Sequence, residues 1–143
     1  MAPRAKPKPA KTWTAIPALG VRVACAGDLA MVGTQALVTC EHAVLSVMVD
    51  EDAKTIDQAL AGHAAEEKAY LQSRTTTANR SAHRYRKAYE NEGGAGTNYW
   101  VDVMLEIGGR VLICQTGSIA TDHTSAKAAA AAGDLCETIE PLP

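Results

Sequence analysis

The most chemically suggestive feature of this sequence is a cluster of cations between residues 74 and 87. The cluster consists of Arg74, Arg80, Arg84, Arg86 and Lys87. His83 and Tyr85 are interleaved with these cations. Clustered cations bind phosphate backbones, because neutralising the phosphates releases condensed counterions. The alternative is a solvated face that balances an acidic body, since Glu90 and Glu92 follow closely.

A second group of cations lies in the first eleven residues. Arg4, Lys6, Lys8 and Lys11 occur there without any acid, whereas the rest of the chain has ten cations and 16 acids. A charged segment interrupted by prolines cannot bury enough apolar surface to order itself. We therefore predict a basic, flexible arm over residues 1–12, which either reaches onto a neighbouring subunit or nucleic acid or acts as a solubilising tail.

Motifs typical of catalysis are scarce. Cys40 and His42 are two residues apart, so in a strand they would share one face and could form a nucleophile and its base. The other histidines are too far apart for a local metal-ligand motif, and no nucleotide-binding or hydrolase motif occurs. We predict a protein that is not an enzyme and has neither a metal nor a small-molecule cofactor, with an enzyme built on Cys40 and His42 as an alternative.

The cysteines bear on the cellular compartment. They are Cys25, Cys40, Cys114 and Cys136. They form no CxxC pair, which argues against a zinc knuckle or a redox motif, and we expect small buried hydrophobic residues. No apolar segment typical of a signal peptide follows the N-terminal cations, so the expected compartment is the cytoplasm. The alternative is an exported domain with disulfides, from which the signal has been removed.

Length and composition indicate one globular domain. The chain has 143 residues, of which 47% are hydrophobic and 21% charged, and this size excludes two full-size catalytic domains. No run of about 18 apolar residues occurs, so we predict no membrane-spanning helix. Aromatic residues make up only 4% and phenylalanine is absent, so the core must consist mainly of aliphatic side chains and alanine.

The N-terminal half of the sequence predicts strands and then a helix. From Val21 to Val49, apolar residues alternate or run continuously and are interrupted by turn residues such as Gly33, which predicts three short strands in a meander. Three acids at 50–52 favour a helix start. The apolar stripe that follows predicts a helix over about Lys54–Gln72, or two helices separated near Gly62.

The C-terminal half predicts a hairpin and a second helix. Residues 74–92 fit the period of a helix and that of a strand equally well. The segment Tyr99–Thr116 alternates on both sides of Gly108-Gly109, which predicts a hairpin with Leu105 opposite Leu112 and Val103 opposite Cys114. An alanine-rich helix follows from Asp122 or Thr124 and ends at Gly133 or continues to Ile139.

Several of these segments together resemble the double-stranded RNA-binding domain. The resemblance covers residues 62–139 and is carried by Ala69–Arg74, Tyr85, the hairpin, and Ala126-Lys127 before the alanine run. It implies the order helix, three antiparallel strands, helix, with the first strand in 74–92, and recognition of RNA by shape. The family's paired lysines would fall at His123 and Thr124, so the resemblance implies a protein-binding or dimerising variant.

The predicted fold is therefore α+β, with an antiparallel sheet made of an N-terminal meander and a hairpin, a central helix, and a C-terminal helix packed on one face. Residues 13–143 are predicted to form one domain, divided into the meander (13–50) and a helix–sheet–helix unit (51–143).

The predicted function is a non-enzymatic interaction or assembly module that binds a protein partner or self-associates through an apolar sheet face or edge. The alternative is an RNA-binding module that uses the cluster at 74–87, Lys127 and the arm lysines Lys6, Lys8 and Lys11. No membrane partner is predicted.

Overall fold

The structure is a computed structural model that describes residues 12–41, 43–63, 70–90, 97–117 and 125–143. These residues form two antiparallel sheets and two α-helices, which confirms the predicted α+β class. The elements in chain order are β1 (Thr14–Ile16), a 3-10 turn (Pro17–Leu19), β2 (Val21–Val23), β3 (Asp28–Val32), β4 (Gln35–Cys40), β5 (Ala43–Asp50), α1 (Ile56–His63), β6 (Tyr70–Thr76), β7 (Ser81–Glu90), β8 (Thr97–Ile107), β9 (Arg110–Gly117), α2 (Ala126–Cys136) and β10 (Glu140–Pro141).

The larger sheet has the strand order β3-β4-β5-β9-β8-β7-β6 in the described residues. The meander predicted between residues 21 and 49 corresponds to β3, β4 and β5, which pair consecutively. Val21–Val23 does not join it and pairs instead with β1 and β10 in the smaller sheet. The C-terminal residues thus return to a strand near the start of the chain.

The predicted hairpin is formed by β8 and β9, and its register is confirmed. Leu105 lies opposite Leu112, and Val103 lies opposite Cys114. Gly108 and Gly109 form the turn with φ values of 60° and 79°. Positive φ at both central residues is the requirement of a tight hairpin turn, so a side chain at either position would be strained.

For residues 74–92 the sequence left helix and strand open, and the described part of this range is strand apart from residues 77–80, while residues 91 and 92 lie outside the described residues. β7 pairs with β8 over its whole length, and β6 pairs with β7. The predicted helix over Lys54–Gln72 was correct only in its first part, because α1 ends at His63 and Tyr70–Gln72 begin a strand. Residues 64–69 lie outside the described part of the chain.

The resemblance to a double-stranded RNA-binding domain was wrong. That family has three strands between its two helices, whereas the described residues between α1 and α2 already form four strands, β6 to β9. The sheet also continues through β5 into β4 and β3. The hairpin and the alanine-rich helix that suggested the family are therefore parts of a larger antiparallel sheet.

The C-terminal helix packs one face on the large sheet. Ser125 caps its first turn by accepting a hydrogen bond from the Ala128 backbone N–H at 3.0 Å. Its buried side contacts β8, β9 and β5 and consists of Ala129, Ala132, Gly133 and Cys136. The helix passes through Gly133 and ends at Cys136. The small residues on its buried side allow close approach to the sheet.

The two faces of the large sheet have separate cores. On one face, α2 and the smaller sheet cover a large cluster that includes Leu45, Val103 and Leu112. On the opposite face, α1 covers a smaller cluster that includes Ile56 and Met104. Neither helix in the described residues has the length and apolar character needed to cross a membrane.

All four cysteines form disulfides, so the expectation of free buried cysteines was wrong. Cys25 is bonded to Cys40, and Cys114 is bonded to Cys136. The first bond joins the segment after β2 to the end of β4. The second joins the central strand β9 to the last turn of α2. Spacing along the chain gave no indication of either pair, because both partners are brought together only by the folded sheet.

Candidate functional site

The structure distributes the cation cluster over both faces of the sheet. Arg84 and Arg86 are two residues apart on β7 and therefore share a face. Arg74 on β6 lies opposite His83, which alternates with Arg84, so Arg74 belongs to the other face. The described cations of the cluster do not form one continuous surface.

Arg84 is bound to the end of α2. Its guanidinium donates to Asp134 at 2.6 Å, to Glu137 at 2.8 Å and to the Ala130 carbonyl at 2.9 Å. Burial opposes the charge, but the hydrogen bonds with Asp134 and Glu137 outweigh it and raise the pKa of Arg84 above its ordinary value. Arg84 therefore serves to hold the C-terminal turn of α2 on β7.

The other described members of the predicted site are also scattered. Arg80 donates to the backbone carbonyl of Glu137, and the guanidinium of Arg86 lies 5.7 Å from the centre of the Tyr99 ring. Lys127 is exposed near the start of α2. Lys6, Lys8 and Lys11 lie outside the described residues, as does the side chain of Lys87. The RNA-binding role of these residues stays a prediction.

Arg74 takes part in a polar network between α1 and the sheet. It donates from Nη2 to Asp57 on α1 at 2.9 Å and from Nε to His83 Nδ1 at 3.4 Å. The other ring nitrogen of His83, Nε2, therefore carries the proton and donates to Gln72 Oε1 at 3.0 Å. Burial and the positive charge of Arg74 lower the pKa of His83 below 6.5, although Asp57 acts in the opposite direction. This network favours the neutral form of His83.

The candidate nucleophile Cys40 is bonded to Cys25. A thiolate attack needs a free thiol, so the Cys40–His42 reaction centre considered from the sequence is not available in this oxidised chain. His42 lies outside the described residues. Among the residues that the structure describes, no group of three or more metal-ligating side chains is close enough to hold a metal ion.

The outer edge of β3 is a different exposed surface, which the sequence analysis did not single out. All five residues of this strand are exposed. The exposed large hydrophobic side chains of the described residues all lie on it, namely Leu29, Met31 and Val32, with 36%, 41% and 59% of their surface accessible. A continuous apolar run is typical of a buried strand. Its position at an edge depends on which strands pair, which is a tertiary property.

The β3 edge offers a partner both backbone hydrogen-bonding groups and apolar side chains. Its outer backbone N–H and C=O groups face away from β4, and no described strand pairs with them. Its apolar side chains point to both faces of the sheet. Leu29 and Met31 lie opposite the buried residues Val38 and Ala36 and share their face, whereas Val32 points to the other face. Such an edge can accept a further strand by backbone hydrogen bonding, with apolar contacts above and below.

No protein-family model and no curated protein sequence matches this chain.

Proposed function

We propose that this protein is a non-enzymatic interaction module that assembles with a protein partner or with further copies of itself. The observation that carries the proposal is the concentration of exposed apolar side chains on the edge strand β3. A contiguous exposed apolar surface is typical of an interface, and an unpaired strand edge is a template for another chain. Assembly through β3 would bury the apolar side chains and give the outer backbone groups hydrogen-bond partners.

The arrangement of the cations supports protein assembly over RNA binding. Arg74 and Arg84 are each held by carboxylates of the same chain, and Arg80 by a backbone carbonyl. A phosphate would have to displace these partners. Binding to RNA also depends on cations arranged along one surface, because affinity comes from neutralising successive phosphates. The described cations lie on two faces of the sheet.

We further propose that the protein works in an oxidising compartment, and the two disulfides support this. Disulfides persist in secreted or periplasmic proteins and are rare in a reducing cytosol. A titration of thiols in the denatured protein, isolated with an alkylating agent present, tests this proposal. We expect no free thiol before reduction and four after it, one for each cysteine of the sequence. Four free thiols before reduction would instead indicate a reducing compartment.

The assembly proposal is tested by native mass spectrometry of the protein isolated from its own source. We expect a stoichiometric complex, either with another protein or with further copies of this chain. Met31→Glu should abolish the complex, because it places a charge in the apolar edge. Thr75→Glu is the matched control, since Thr75 is exposed on β6, the opposite edge of the same sheet. A complex equally sensitive to both substitutions would contradict a role of β3.

A titration with duplex RNA at several salt concentrations tests the alternative function. We expect no affinity that depends on salt. If RNA bound and log K fell by about 0.7 to 0.9 per phosphate contact as log salt rose, RNA binding would replace protein assembly as the proposed function. Alanine at Arg86 and Lys127 would then be the first substitutions to examine, because Arg86 lies against the Tyr99 ring and Lys127 is exposed near the start of α2.

A further inference from the structure

The two outer strands of the large sheet differ in how they are protected from pairing with another chain. β6 has a register irregularity between Tyr70 and Ser73 and carries Arg74. Bulges and charges of this kind prevent a sheet from adding strands at its edge. β3 pairs with β4 without interruption over all five residues, and its only charged residue is Asp28. β3 is therefore the edge left open to pairing.

Contacts within the chain hold the β3 edge in place without a partner. The Cys25–Cys40 disulfide joins the start of the β3–β4 hairpin to its end. Thr14 Oγ1 donates to the Cys25 carbonyl at 2.6 Å and accepts from the Gly27 backbone N–H at 3.0 Å. A strand ordered in advance loses less conformational entropy on pairing than a flexible segment does.

The N-terminal arm of the chain is a poor occupant for this edge. Prolines occupy positions 3, 7 and 9 of the arm, and lysines alternate with the last two. Proline has no N–H to donate, so it interrupts a ladder of backbone hydrogen bonds. The alternating lysines would also place charges against the apolar side chains of β3. The occupant must be an uninterrupted and nearly uncharged strand.

A second copy of β3 meets these requirements. We propose, on the basis of the assembly function above, that two copies of this protein pair their β3 strands antiparallel about a two-fold axis at Ala30. In this register Leu29 of each copy lies opposite Met31 of the other, so four large apolar side chains form one cluster on one face of the sheet. Asp28 lies opposite Val32 rather than opposite its own copy, so the two acidic side chains are separated at the ends of the pairing.

The two-fold arrangement also accounts for the composition of the strand. An isologous interface uses the same patch on both subunits, so each position must be compatible with its symmetric counterpart. The axis passes at Ala30, where two small side chains meet at the closest approach. The paired strands would join two seven-stranded sheets into one continuous sheet, which removes the open edge from both copies.

Sedimentation velocity of the oxidised protein over a range of concentrations tests the pairing. We expect the wild-type protein to form a reversible dimer. Leu29→Lys and Met31→Glu should each raise the dimer dissociation constant by about tenfold or more, because the altered position occurs twice in each dimer and loses apolar burial there. Thr75→Glu should leave the constant unchanged. Circular dichroism and thermal unfolding show whether each variant is folded.

Mixing the two β3 variants tests the register itself. In an equimolar mixture, the new lysine of one variant faces the new glutamate of the other, while the second pair of positions keeps its native leucine and methionine. Dimerisation should therefore be restored, and native mass spectrometry should show the heterodimer. A mixture that stays monomeric overturns the register, as do single variants that dimerise like the wild type.

Failure of this inference is distinguishable from failure of the proposed function. A wild-type protein that is monomeric at every concentration overturns the pairing of two β3 strands. If the protein isolated from its source then carries a different protein partner that Met31→Glu removes and Thr75→Glu does not, the assembly function stands with another occupant. If no partner is found either, both proposals are wrong.

Discussion

The glycine in α2 provides the sharpest test of how the helix is seated on the sheet. A Cβ atom added at Gly133 would lie 2.6 Å from Val101 Cγ1 and 2.9 Å from Arg84 Cζ. Both distances are shorter than ordinary van der Waals contact. Gly62 in α1 is a matched control, because a Cβ atom added there meets no atom within 4 Å. We expect Gly133→Ala and Gly62→Ala to change the stability in opposite directions.

The magnitudes follow from three contributions. Replacing glycine by alanine inside a helix stabilises by about 1 kcal/mol, and this is the main effect expected at Gly62. At Gly133, overpacking against the fully buried Val101 costs about 1–3 kcal/mol, and displacing Arg84 weakens a charged hydrogen bond worth about 1.5–3 kcal/mol. The net destabilisation at Gly133 is about 2 kcal/mol.

Thermal and urea unfolding of the oxidised protein, followed by the fluorescence of its two tryptophans, measures both changes. The midpoint of thermal unfolding should fall by about 6 °C for Gly133→Ala and rise by about 2–3 °C for Gly62→Ala. The m-value should not change, because the same surface is exposed on unfolding. If Gly133→Ala were as stable as Gly62→Ala, the close packing of α2 on Val101 and Arg84 would be wrong.

Two further predictions concern the disulfides and a buried histidine. Replacing Cys114 and Cys136 by alanine should lower the free energy of unfolding by about 3.4 kcal/mol, and replacing Cys25 and Cys40 by about 3.0 kcal/mol, since 22 and 15 residues separate the bonded pairs. Urea unfolding measures both losses, and a wild-type midpoint unaffected by reductant would contradict them. The pKa of His83 lies below 6.5 in the folded protein, so the unfolded chain binds more protons as the pH falls through 6.5, and the free energy of unfolding should decrease there. His83→Gln should flatten this dependence between about pH 7.5 and 5.5 in urea unfolding, and an unchanged slope would assign it to other groups.

Local signals in the sequence were sufficient for the hairpin and the second helix. Two glycines between alternating strands specify both the turn and the register, so the pairing of Leu105 with Leu112 could be predicted. The alanine run likewise specified α2, whose first residue, Ala126, is within a few residues of the predicted start. These elements are determined by residues close together in the chain.

Tertiary pairing decided the elements that the sequence left open or misassigned. Residues 81–90 fit two periods, and they form a strand because β8 offers a partner along their whole length. Residues 70–72 were assigned to a helix because Tyr70 and Leu71 continue an apolar stripe, yet they begin β6. The four cysteines were judged by their spacing, which carries no information on partners brought together by sheet pairing.

The candidate site was difficult to predict for the same reason. A count of charges identified the cluster around Arg84 but could not show that Asp134 and Glu137, some 50 residues later, bind that guanidinium. An apolar run identified a strand from Leu29 to Val32 but could not show that the strand would lie at an edge. In both cases the residue types were evident, and their exposure was not.

The two disulfides lie in different parts of the fold, one in the main core and the other at the edge of the large sheet. Cys114–Cys136 joins the central strand to α2 and lies within the main core, where both cysteines are fully buried. Cys25–Cys40 lies at the base of the β3–β4 hairpin, where it constrains the strand that carries the exposed apolar side chains. An edge of this kind is prone to indiscriminate pairing when it is flexible, because many registers are then accessible. The Cys25–Cys40 bond constrains the hairpin that carries this edge, so oxidation of these two cysteines also shapes the surface through which we expect the protein to assemble.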